Sequence, residues 1–183
     1  MSMKHIMLDL ETLGVGSDSV VVSAALVEFD LTSGETGDSL HIGFNILEQL
    51  LNGGVIDNST VAWWSTQPTE AKKLLAKSSS TEPLYCTFSK IDEFLKKNPD
   101  ASLWGNGCTF DNVILRNLYK RHNREFPLAF WQDKDVRTLT QLVDYDEVVI
   151  RTGTFIGTKH NPIDDCLHQV RMCLHAYNLI TEQ

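Results

Sequence analysis

His5-Ile6-Met7-Leu8-Asp9-Leu10-Glu11-Thr12-Leu13-Gly14 is the stretch on which the fold turns. Ile6, Leu8 and Leu10 alternate with Met7, Asp9 and Glu11, which is the period of a β-strand. Residues two apart on a strand share a face, so Asp9 and Glu11 project side by side. Two like charges this close repel, and burial also strips their hydration. The pair therefore invites a divalent cation, which cancels the repulsion and takes carboxylate oxygens as ligands. Thr12-Leu13-Gly14 ends the strand and leaves both acids at its carboxyl end. Alone, an Asp-x-Glu reads better as an exposed edge strand with two solvated acids. Residues far downstream decide between the two.

Outward from this strand, 20–29 is β-rich and apolar enough to be buried on both faces. Thr32-Ser33-Gly34-Glu35-Thr36-Gly37 is a turn signal, and 39–46 reads as the next strand, giving an antiparallel meander of three. Asn58-Ser59-Thr60 offers caps for a helix carrying Trp63 and Trp64, and a further helical piece spans 69–75. An amphipathic helix over 88–97 presents Phe88, Ile91, Phe94 and Leu95. A short buried strand at 101–104 leads through Gly105-Asn106-Gly107 into a helix over 110–121, with Val113, Ile114, Leu115, Leu118 and Tyr119 available for burial. A short strand within 130–137 precedes a helix from 138 to about 143, and 144–159 reads as a mobile loop. Asn161-Pro162 opens the last helix, Asn as cap and Pro at the first position, with Ile163, Leu167, Val170, Leu174 and Tyr177 as its stripe. The order predicts an α/β domain, a mixed sheet with helices on its faces and an antiparallel meander at one side.

A length of 183 residues suits one domain, 1–183, with a sizeable core. No run reaches the apolar length of a membrane span, and the start lacks the apolar region of a signal peptide. Four scattered cysteines without a Cys-x-x-Cys pair argue for reduced thiols and against a zinc site or disulfide framework. A cytoplasmic protein without a membrane segment is the expectation. The net charge of −8 argues against a passive, strongly cationic nucleic-acid binder. It leaves room for an enzyme that meets phosphates through bound metal ions.

Asp111 and Asp165 each fall in the first turn of a helix, where an acid complements the helix N-terminus, and Asp164 there suits a capping box. His160 alone reads as a loop histidine. The set says more than its members. Asp9-x-Glu11, then Asn106-x-x-x-Phe110-Asp111, then His160-x-x-x-x-Asp165 resembles the three motifs of the DEDDh 3′–5′ exonucleases. Trp63-Trp64, Gln67 and Glu70-Ala71, then Phe130-Trp131-Gln132, Asp135-Val136-Arg137-Thr138 and His160-Asn161-Pro162-Ile163-Asp164-Asp165-Cys166 are similar to the group of T-even phage exodeoxyribonuclease A and mycobacterial exoribonuclease AS. The match runs in order along nearly the whole chain.

This resemblance implies an RNase H-like mixed five-stranded sheet, antiparallel meander plus parallel strands, flanked by helices. It implies hydrolysis of single-stranded nucleic acid from the 3′ end to 5′-mononucleotides with two divalent cations, Mg²⁺ or Mn²⁺. Asp9, Glu11, Asp111 and Asp165 would be the metal ligands, and His160 the general base toward the attacking water. Thr12 and Leu13 would touch the 3′-terminal nucleotide. Trp64 and Phe110 are further candidates for substrate contact, with at most one of Trp63 and Trp64 facing the cleft. Asp135 reads as structural, and Asn106 as orienting the Asp111 loop. Arg116, Lys120, Arg121 and Arg124 read mostly as a solvated face, with one or two free for backbone phosphate.

DNA is the expected polymer and RNA the alternative, the two differing in how the cleft meets the 2′-OH. Related enzymes include dimers, which leaves a homodimer open. A catalytically silent binding module and a phosphoesterase of small nucleotides are rival readings; the complete acid–histidine set speaks against the first.

Overall fold

The computed structural model describes residues 4–182; residues 1–3, part of the start read above as free of a signal peptide, lie outside them. The opening stretch forms β1, His5–Thr12, whose Ile6, Leu8 and Leu10 enter one apolar core while Met7 enters another on the opposite face. β2, Val21–Phe29, is buried throughout and pairs antiparallel with β1. β3 runs Thr36–Gly43, three residues earlier than the sequence pattern implies. Asp30 is the reason: its Oδ1 accepts the Thr32 and Ser33 amides at 2.9 Å, Gly34 adopts φ 73°, and the chain is back in register by Thr36. The strand stops at Gly43 because Asn45 caps a helix the sequence reading lacked, α1, Ile46–Leu51.

α2 spans Asn58–Thr66 and α3 Thr69–Ser78. The cap position of α2 is Asp57, so Asn58, Ser59 and Thr60 belong to its first turn rather than preceding it. α4, Leu84–Lys96, begins a turn before the expected Phe88, its Leu84 amide satisfied by Glu48 Oε2 at 2.8 Å. β4, Ser102–Gly105, lies parallel to β1, and α5, Asp111–Arg121, follows. A 3₁₀ turn at Phe130–Gln132 leads into β5, Asp133–Asp135, parallel to β4. α6 is Val136–Gln141. The first half of the mobile loop expected over 144–159 is replaced by α7, Tyr145–Thr152, because Asp144 caps it by accepting the Asp146 and Glu147 amides, and 153–159 stay irregular. α8, Pro162–Thr181, starts as expected, with the Asn161 side chain accepting the Ile163 amide and Pro162 in the first turn.

The sheet order is β3-β2-β1-β4-β5, a mixed RNase H-like sheet with β1 at its centre. One face packs against α4 and α5 through Phe88, Ile91, Leu95, Ile114, Leu115, Leu118 and Tyr119. α8 covers the other face with Cys166, Val170 and Cys173 over Met7, Ala25, Val27 and Phe29. Small residues at this seam let helix and strands approach closely. The buried line of α8 is therefore Cys166, Gln169, Val170, Cys173 and Ala176, rotated from the larger apolar residues the sequence favoured, of which Ile163 and Leu167 pack at the margin. Val113 of α5 is likewise exposed.

Arg116 and Arg121 of α5, and Arg124 just beyond it, fasten the fold instead of forming a solvated or phosphate-facing stripe, while Lys120 stays exposed. Arg116 pairs with Asp133 at 2.7 Å and donates to the Leu128 and Ala129 carbonyls. Arg121 donates to the carbonyls of Asp18 and Gly53, and Arg124 pairs with Asp92. Among the described residues no helix is long and apolar enough to cross a membrane.

Candidate active site

The sheet places Asp9 and Glu11 at the carboxyl end of its central strand, on the face covered by α8. The β1–β2 register shifts between Glu11 and Thr12, so Glu11 opposes Ser23 while Thr12 opposes Val21. Such a bulge bends the strand and re-aims its last side chains, a device common beside functional sites. Asp111 arrives from the other face. Gly105 makes this feasible, since a Cβ there would lie 2.4 Å from Asn112 Oδ1 and 3.2 Å from Asp111 Cβ. The Leu10 amide, between the two strand acids, donates to Asp111 Oδ1 at 3.1 Å.

α8 begins at the same end and brings Asp165 in its first turn. Glu11, Asp165 and His160 each offer a ligand atom, and these atoms lie within 4.8 Å of one another. His160 adopts φ 66°, a conformation that costs a non-glycine residue energy. Three bonds hold it: its amide donates to Asp165 Oδ2 at 2.8 Å, Thr158 N–H donates to Asp164, and Asn161 N–H donates to the Thr158 carbonyl. Asp164 thus braces the loop instead of closing a capping box on Asn161. The His160 ring stands edge-on to Trp63 and Trp64, with centroids 5.4 and 5.5 Å away.

The electrostatics follow first from burying four acids and then from gathering them. Burial, then the charges of Asp111, Glu11 and Asp165, raise the Asp9 carboxyl well above its ordinary value. Burial pushes Glu11 up to about 8, helped by Asp165 and Asp111. Asp111 rises to about 7 through burial, opposed by the Leu10 amide, and Asp165 to about 6 through burial, opposed by the His160 amide. Glu11 and Asp111 are 7 % and 4 % exposed. The set is oxygen-rich, closely spaced and reluctant to ionise without added positive charge, which fits a hard divalent cation. His160 is shifted the other way, downward, by burial and then by Lys159.

A cavity of about 560 Å³ opens over this cluster, walled by Leu10, Thr12, Val15, Trp63, Trp64 and Phe110. Trp64 and Phe110 both line it, yet Trp64 is only 6 % exposed and its Nε1–H is committed to the Thr12 carbonyl at 3.0 Å. Trp63, 46 % exposed on the same wall, is the indole with a free surface. Leu13 does not line the cavity; its backbone bonds to Val20 and Asp57 instead. Asp135 accepts the amides of Gly107, Cys108 and Thr138, the structural part expected of it, and thereby fixes the loop that carries Asn106.

Two residues of the site received no role from the sequence, Arg137 having entered only as part of a motif. Gln169, a full turn beyond Asp165, is 5 % exposed and donates from Nε2 to Asp9 Oδ1 at 2.8 Å. Its i+4 spacing from Asp165 on an apolar helix was the available signal. Arg137 lines the cavity and lowers the Asp111 carboxyl by its charge.

Over residues 4–177 the sequence matches the family described as the 3′–5′ exoribonuclease Rv2179c-like domain. The exodeoxyribonuclease of Enterobacteria phage T4 is 27% identical, across 92% of this chain and 87% of the phage protein. Among solved structures, the nuclease domain of 3′hExo, a DEDDh family member bound to rAMP, superposes with TM-score 0.59 at 12% identity, covering 96% of this chain and 91% of that domain. E. coli exonuclease I in its zinc-bound complex with single-stranded DNA gives TM-score 0.60 at 14% identity over 98% of this chain, which spans only 40% of exonuclease I. With its family matched almost end to end and its acids gathered at the carboxyl end of β1 in a DEDDh-type fold, the chain belongs to the Rv2179c-like 3′–5′ exoribonuclease domain family and is a 3′–5′ exonuclease.

Proposed function

We propose that the chain acts as one nuclease domain, 1–183, removing 5′-mononucleotides from the 3′ end of single-stranded DNA with two divalent cations, Mg²⁺ or Mn²⁺. The observation that carries this reading is the carboxylate cluster at the floor of a cavity with apolar walls. Asp9, Glu11 and Asp165 on one side and Asp111 on the other would hold the ions. When bound, such ions neutralise phosphoryl charge and lower the pKa of water.

The chain's own residues supply the rest. His160, its pKa lowered, is neutral at ordinary pH and free to accept a proton from the attacking water. Its left-handed backbone, bonded to Asp165, keeps the ring beside Glu11. Trp63 offers a stacking surface for the terminal base, and Phe110 adds a second aromatic to the same cavity. The Trp64–Thr12 bond stiffens the floor on which the terminal sugar would rest. Four free thiols suit a reducing compartment, the cytoplasm.

Sequence likeness to the phage exodeoxyribonuclease favours DNA. A second reading, RNA, draws on the family description, which specifies an exoribonuclease. Digestion of matched 5′-labelled DNA and RNA oligomers, single- and double-stranded, with Mg²⁺ or Mn²⁺ separates them. Laddering from the 3′ end of single-stranded DNA is expected. Laddering of RNA alone would reverse the polymer, and no laddering of either would remove the function.

A further inference from the structure

A second cavity, of about 610 Å³, lies beside the carboxylate cluster. Asn106, Arg137 and His160 line both cavities, and Asp165 and Gln169 line the second, so the two hollows meet at the acids. Their chemistries differ. The first has apolar walls and Arg137 as its one lining Lys or Arg; the second adds Lys159, the His168 imidazole, Tyr145 and Phe155.

Arg137 is placed against local preference. It occupies the first turn of α6, where the helix dipole disfavours a cation. Among the described residues its guanidinium has no hydrogen bond or ion pair, whereas Arg116, Arg124 and Arg151 are all paired with carboxylates. Lys159 is likewise exposed without a salt bridge. Two cations that feel the site's acids at a distance but hold no carboxylate in a salt bridge, on one hollow, in a chain of net charge −8, leave their donors open to an anion from outside.

Resting on the exonuclease reading above, we propose that the second cavity holds the nucleotide immediately 5′ of the scissile bond, with Arg137 and Lys159 gripping that nucleotide's own 5′-phosphate. The terminal nucleoside fills the apolar cavity, the scissile phosphate lies over the acids, and the retained strand leaves through the second. The geometry thus sets a two-nucleotide, two-phosphate footprint.

The test compares two substrates differing by one phosphate, the dinucleotides pdTpdT and dTpdT, at equal Mn²⁺. The wild type is expected to cleave pdTpdT with a kcat/KM about tenfold or more above that of dTpdT, the share of a charged hydrogen bond. Arg137→Ala and Lys159→Ala should each shrink this ratio, mainly through KM, and Arg137→Lys should retain part of it because charge persists without the planar fork. Circular dichroism and melting curves establish that the variants are folded. Equal rates on the two dinucleotides in the wild type, or a preference that survives both alanine substitutions, would overturn the subsite alone. A wild type inactive on these and on longer DNA and RNA would overturn the exonuclease reading beneath it.

Discussion

Gln169 Nε2 donates to Asp9 Oδ1 at 2.8 Å, tying the centre of α8 to the acid at the heart of the site. The bond opposes the upward pull on the Asp9 carboxyl and fixes its rotamer. Groups that orient a metal ligand in this way usually change metal affinity or activity about 10–100-fold when removed. Gln169→Ala should therefore raise the Mn²⁺ concentration for half-maximal activity by about that factor, with Gln169→Asn recovering little because it is too short. An unaltered metal requirement would reduce Gln169 to a packing residue.

The crowded acids also fix a pH dependence of stability. Asp9, Glu11, Asp111 and Asp165 all have folded-state values above their ordinary ones, up to about 8 for Glu11. A carboxyl raised in this way favours the fold while protonated. Its contribution is whole below about pH 4 and is lost as pH climbs through the raised values. In chelator, the melting temperature should accordingly fall between about pH 5 and pH 8. Asp9→Asn should flatten that fall, and Mg²⁺ should stabilise the wild type more at the higher pH. Stability in chelator that rises over this window would contradict the clustering.

Trp63 and Trp64 are neighbours in sequence with opposite expected phenotypes. Trp63→Ala should leave the melting temperature almost unchanged and raise KM by about 10–100-fold, the usual worth of one stacked base. Trp64→Ala removes a buried ring and should cost about 3–5 kcal/mol of stability by denaturant titration. A silent Trp63→Ala would move base recognition elsewhere in the cavity.

The strand carrying Asp9 and Glu11 was legible because alternation and a terminal Thr-Leu-Gly signal act locally. Asn161-Pro162 was legible for the same reason: a cap and a fixed φ need no tertiary partner. What stayed hidden depends on distant groups. α7 buries only Val148 and Thr152, so its Val148-Val149-Ile150 run carries no clear helical stripe and its start rests on the Asp144 cap. Apart from Val170, which the sequence stripe contained, the buried line of α8 is made of Cys, Gln and Ala, which a search for large apolar residues passes over. Arg116 and Arg124 read as surface charge because Asp133 and Asp92 lie on other elements. Trp63 and Trp64 could not be told apart until the Thr12 carbonyl claimed one indole.

His160 separates a general base from a loop residue that merely closes the site. Its ring stands against both tryptophans, and its ligand nitrogen lies within 4.8 Å of the Glu11 and Asp165 carboxylate oxygens. Burial and Lys159 keep its pKa below the ordinary value, so the neutral, proton-accepting form prevails at pH 7. His160→Ala should lower kcat by about 10²–10⁴-fold, the usual share of general-base catalysis. KM should change much less, because the four carboxylates remain. The residual rate should climb with pH as hydroxide replaces the missing base, and the acidic limb owed to the imidazole should vanish from the pH–rate profile. His160→Asn, which cannot accept the proton at neutral pH, should resemble the alanine variant; recovery of the wild-type rate and limb by Asn would assign His160 to positioning alone.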